Sequence, residues 1–136
     1  MGKEAVVVVT EERLSQTRRI DPQRVWTRRL AIAWVASIAG LILFEPVPTD
    51  ANAAEPVWAT VAAFMFLGAL AAMAVGMRTR RRWAYAVSGG AGVLGMLLAY
   101  ACLESGHHLG AWWMIELVTF GALTALSITA AERTSS

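Results

Sequence analysis

The sequence has little charge and almost no cysteine. Only 16% of its 136 residues are charged, against 57% hydrophobic. A soluble domain this small needs about a quarter charged residues to cover its large surface. That balance argues against a water-soluble globule, and the hydrophobic share argues equally against a disordered chain. The single cysteine, Cys102, excludes an internal disulfide framework and any Cys-rich zinc site. Basic residues are missing from two long stretches, Leu30–Met77 and Trp83–Glu132. The net charge of +2 carries little information beside that distribution.

Four apolar runs are present: Leu30–Phe44, of 15 residues, Val57–Met77 and Trp83–Leu103, of 21 each, and Leu109–Ala131, of 23. About 20 apolar residues in a helix cross the roughly 30 Å hydrocarbon core, so three runs qualify by length. The first is short, but Arg28 and Arg29 can snorkel and Pro46–Val47 can lengthen it. The expected fold is therefore an all-α membrane protein, an antiparallel bundle of four transmembrane helices over about 30–47, 57–77, 83–103 and 109–131. Residues 21–136 form the membrane domain, and residues 1–20 read as a mobile cytoplasmic tail. In that tail Val6–Val9 is the one apolar stretch; as a strand it would need a partner's sheet edge.

Every Lys and Arg precedes the first run, joins the second to the third, or follows the fourth. The connections Glu45–Pro56 and Glu104–His108 contain none. By the positive-inside bias both termini and the Arg78–Arg82 joint are expected in the cytoplasm, which makes the chain a multi-pass protein of the cell membrane. Trp26 and Trp83 fall at the inner boundaries and Trp58, Trp112 and Trp113 at the outer ones, as amphipathic indoles prefer. Only Trp34 lies away from these boundaries, inside a span. The first run also fits a signal peptide, with Thr27, Arg28 and Arg29 before it and Ala51, Asn52 and Ala53 in small-x-small order after it. The passenger would then be three more spans rather than a soluble domain, so the uncleaved four-span reading is preferred.

Asp21-Pro22 marks a helix start, with Asp as cap and Pro at the first helical position. The helix should continue through Arg28 and Arg29 into the membrane. Arg24, Arg28, Arg29, Arg78, Arg80, Arg81 and Arg82 form a basic collar that orients the chain and attracts anionic headgroups of the cytoplasmic leaflet. Three of the four prolines occupy the connection Glu45–Pro56, which reads as an extended loop. The short Arg78–Arg82 joint makes the second and third spans a hairpin.

Gly90, Gly92 and Gly95 match the G-x-G-x-x-G nucleotide fingerprint, but mid-span, where no strand-to-helix turn holds a phosphate. They read as helix packing, since small residues at four-residue spacing let backbones approach. Ser88 and Gly92 continue that pattern in the third span, Gly68, Ala72 and Gly76 in the second, and Ala36 and Gly40 in the first. Glu116 is the one formally charged residue inside a run, seven residues in, or about 10 Å deep. An intramembrane carboxyl is a functional candidate unless shown otherwise. Thr119 and Ser127 share its helix face and complete a candidate proton or cation site. No Lys or Arg lies at that depth, so the carboxyl is either neutral or wetted from outside. A protonated carboxyl bonded to a neighbouring helix or subunit is the simpler reading.

Glu104, His107 and His108 offer nitrogen and oxygen ligands to a divalent metal, although interfacial polar residues have the same appearance. Adjacent histidines cannot face each other across a b-haem. No nucleophile–base arrangement stands out, so an enzyme is not expected, nor a cofactor, nor nucleic-acid binding. The expectation is a small non-enzymatic protein acting by helix association, with other membrane subunits or with itself. The alternative is a proton- or cation-coupled transporter using Glu116.

Overall fold

A computed structural model describes residues 21–46, 57–105 and 110–135. It is all-helical, with α1 spanning Pro22–Phe44, α2 Val57–Arg78, α3 Trp83–Ser105 and α4 Trp112–Ser135. All four are long and apolar enough to cross a membrane. The proposed tail, the valine stretch and the Ala51-Asn52-Ala53 segment lie outside the described residues.

Helix α1 begins as the sequence indicates. Asp21 is extended, at φ −60° and ψ 111°, and its carboxylate accepts a hydrogen bond of 3.0 Å from the Gln23 backbone N–H. Pro22 needs no donor at that position. The helix runs unbroken past Arg28 and Arg29 but stops at Phe44, short of the expected Val47. Glu45 precedes Pro46, whose ring excludes the helical conformation from the residue before it, and Glu45 sits at φ −58° and ψ 122°. The length a span requires comes from the arginine side instead.

The other boundaries also shift. Helix α3 continues to Ser105 and α4 to Ser135, past the expected Leu103 and Ala131. Helix α4 starts at Trp112 instead of Leu109, after Gly110 turns the chain at φ +88°. The α2–α3 joint is a Schellman closure. The Arg81 N–H reaches the Gly76 carbonyl at 2.9 Å and the Arg80 N–H reaches Met77 at 3.2 Å. Arg80 takes the left-handed position at φ +52°, where glycine is usual, at a cost of about 1–2 kcal/mol.

Packing follows the order α1–α4–α3–α2, with α3 against α4 the closest interface. That interface is set by small residues. A Cβ on Gly92 would run into the Thr124 hydroxyl and the Phe120 carbonyl, and one on Gly95 would lie 2.5 Å from the Phe120 ring. Gly76 admits Ala84 and the Trp83 ring in the same way at the α2–α3 hairpin. Gly68 and Gly40, by contrast, have no atom within 4 Å of where a Cβ would stand. No described helix packs closely there.

Two glycines of similar sequence context should therefore behave oppositely. Gly92→Ala should lower the unfolding free energy in detergent by about 1–3 kcal/mol through overpacking. Gly68→Ala should change it by less than about 0.5 kcal/mol, since a lone methyl on an open helix face meets nothing. Equal losses at both positions would contradict this packing.

Candidate functional site

Two groups of polar side chains inside the helices stand out. The first lies near mid-bundle and joins three helices. Trp34 Nε1–H donates to Ser88 Oγ at 2.7 Å, Ser88 and Ser127 share a hydrogen bond of 2.7 Å, and Ser127 Oγ–H donates to the Leu123 carbonyl at 2.7 Å. With Ser127's proton on its own helix, Ser88 must supply the proton between the hydroxyls. The result is a one-way chain from indole to serine to serine to carbonyl. Ser88 and Ser127 are fully buried and Trp34 is 2% exposed. Around the indole, Phe66 and Phe120 lie at centroid distances of 6.3 and 6.2 Å and meet each other edge-on at 5.6 Å.

The second group lies at the far end from the arginines. Glu116 is the fifth residue of α4, not the eighth of a run beginning at Leu109, so it stands about 6 Å from the helix start. It is half-buried, and its Oε2 is inside the protein. Thr119 is half-buried and, with Ser37, Gly40, Phe44 and Trp112, lines a cavity of about 390 Å³ between α4 and α1. Ser127 does not belong to this group. It lies three turns further along α4, about 16 Å away, and is occupied by Ser88. The expected Glu116–Thr119–Ser127 stripe is thus divided between two places.

The remaining candidates are described only in part. His107 and His108 lie outside the described residues, and Glu104 is exposed near the end of α3. Among the described residues no three metal-ligating side chains converge. Ser88, Gly76, Gly92 and Gly95 are buried at helix contacts, Ala72 is half-buried, and Gly68 is exposed. Of the arginines, Arg29 lies over the Trp26 ring at 5.3 Å, a cation–π arrangement. Arg24, Arg28, Arg78 and Arg80 border one cavity at the α1–α2 seam.

Nothing in the sequence marked the contacts of Gln23, Thr27 and Tyr85, which with Trp34 fasten α1. Gln23 Nε2 donates to the Arg80 carbonyl at 2.7 Å, and Thr27 Oγ1 meets Tyr85 Oη at 2.9 Å. Tyr85 Oη–H in turn reaches the Gln23 carbonyl at 3.4 Å. A signal was available for Trp34 and the two serines. Donors within an apolar run must find protein partners, because lipid offers none.

Trp34 of α1 and Trp112 of α4 permit a direct comparison. Trp34 Nε1 has a partner, whereas Trp112 Nε1 is buried with none among the described residues. Trp34→Phe should destabilise the bundle by about 0.6–1.7 kcal/mol, the range of intramembrane hydrogen bonds. Trp112→Phe should be neutral or stabilising, because it removes a donor that nothing accepts. Thermal unfolding of both variants in one detergent measures the difference. Compared with known protein families, curated proteins and solved structures, the chain matches none.

Proposed function

We propose that this small multi-pass membrane protein acts without chemistry of its own, by helix association as an accessory subunit or self-oligomer. The observation that supports this reading most is the outer face of α2. Val57, Val61, Phe64, Gly68 and Val75 fall on one side of that helix, and all are exposed. At its centre Gly68 has open space where a Cβ would be. Bare backbone flanked by large apolar side chains is the form that intramembrane helix contacts use, because dispersion depends on close approach.

The second reading, a proton- or cation-coupled transporter, draws on Glu116. Its Oε2 is buried on the same stretch of α4 whose Trp112 and Thr119 line the 390 Å³ cavity. One set of variants separates the two. Gly68→Ile should abolish co-isolation of the partner or oligomer from native membranes and leave the monomer folded, while Glu116→Gln leaves the association intact. If wild-type proteoliposomes show a pH-driven flux that Glu116→Gln abolishes, the transporter reading replaces the first.

The orientation proposed for the cell membrane puts both termini and the Arg78–Arg82 joint in the cytoplasm, on the strength of the arginine distribution alone. Neutralising Arg78, Arg80, Arg81 and Arg82 together should give mixed topologies in terminal reporter fusions. Neutralising Glu45, Asp50 and Glu55 should not, since acids contribute little to the bias. Inversion by the acidic changes would defeat the assignment.

A further inference from the structure

Helix α1 packs its backbone against α4, and its backbone and that of α2 are not close-packed neighbours. Two cavities follow the open α1–α2 seam. At the arginine end, a space of about 320 Å³ is bordered by Arg24, Thr27, Arg28, Met77, Arg78 and Arg80, with no carboxylate among its lining residues. Further along, a space of about 360 Å³ is bordered by Trp34, Val35, Ile38, Ala39, Ile42 and Leu70. At 100° per residue, the α1 residues bordering both spaces fall within a sector of about 140°. They form one continuous face, basic at one end and apolar beyond.

We propose that this seam binds a single anionic phospholipid. The phosphate sits among Arg24, Arg28, Arg78 and Arg80, and an acyl chain lies along Val35, Ile38 and Ile42. Guanidinium groups match phosphate oxygens in pairs, and a basic pocket between membrane helices is a known form of headgroup site. The dimensions fit. Ala31 to Ile42 is about 16 Å of helix, close to one leaflet of a roughly 30 Å core. The backbone provides a second argument. Arg80 holds a left-handed conformation that glycine would hold without strain, and Gln23 Nε2 fastens its carbonyl at 2.7 Å. Strain kept at one residue points to a use for that side chain. Arg29, stacked on Trp26, and Arg81 and Arg82 do not border the space, so collar and pocket are separable.

This inference rests on the membrane-spanning reading, and the experiment keeps the two distinct. Delipidated protein in mild detergent is titrated with phosphatidylglycerol or phosphatidylcholine, and bound lipid is counted by native mass spectrometry. Wild type should retain one phosphatidylglycerol per chain, at least about tenfold more tightly than phosphatidylcholine, as expected for a few charge-assisted contacts. Arg28→Gln with Arg78→Gln should remove that preference. Arg29→Gln with Arg82→Gln, an equal loss of charge, should keep it. Arg80→Gly should weaken the preference while unfolding no more easily than wild type. Ala39→Phe, which fills the apolar end from an exposed position, should weaken phosphatidylglycerol binding.

Equal effects of the two double variants would overturn the pocket in favour of diffuse surface charge. Inorganic phosphate competing as well as the lipid, with Ala39→Phe silent, would overturn the lipid in favour of a soluble anion. A dimer mass in place of bound lipid would give the seam to a second copy. A protein that stays monodisperse without detergent would refute the membrane reading itself, and the lipid site with it.

Discussion

Trp34 presents its N–H to Ser88 on α3 and its ring to Phe66 on α2 and Phe120 on α4, so one side chain of α1 meets each of the other helices. In a bilayer this matters more than its contact area indicates. Lipid tails are as apolar as leucine, so burying Trp34 against protein rather than lipid gains little hydrophobic free energy. Fit and hydrogen bonding decide the position instead. The indole N–H has one acceptor in reach, and that acceptor's own proton passes to Ser127 and onward to the Leu123 carbonyl. Rotating or sliding α1 breaks the chain at its first link and leaves a donor with no water to take it.

The rest of α1 bears this out. Of its span 11% is buried, against 33% of α3, and its fastenings are polar. Gln23 to Arg80 and Thr27 to Tyr85 fall in its first two turns, at the arginine end, and Trp34 to Ser88 near its middle. Beyond Trp34 the helix has no polar fastening among the described residues, and there the 390 Å³ space separates it from α4. The α2–α3–α4 unit is different in kind. Its closeness comes from glycines at 76, 92 and 95, where side chains from the next helix occupy the room a Cβ would need. Three helices are packed by shape, and the first is fastened by hydrogen bonds.

That division explains what could be read in advance. The number of long apolar helices, the Asp21–Pro22 start and the tight arginine joint are written in composition and local chemistry, and these emerged from the sequence. The faces did not. Apolar residues surround each helix, so periodicity cannot separate a core side from a lipid side, and Gly68 looks like Gly92 until their neighbours are known. The ends of the spans failed for local reasons. Pro46 stops α1 early through Glu45, and Gly110 delays α4, which brings Glu116 nearer the helix start than the apolar run implied. Of the candidate stripe, Glu116 and Thr119 remain on one stretch of α4, while Ser127 serves the Trp34 chain.

The same physics links the weak seam to the arginines. A helix held by hydrogen bonds between its arginine end and its middle need not close against its sequence neighbour, and α1 and α2 stay apart along the side where Arg24, Arg28 and Arg78 stand. Closing that seam would bring like charges together and strip their hydration, a cost that rises as the local dielectric falls. An open seam with a basic mouth is therefore the arrangement these residues favour in the absence of an anion. At that end Gln23 of α1 reaches the Arg80 carbonyl, a link from the first helix to the α2–α3 joint. The positive charge at this mouth thus opposes closure of the first two helices.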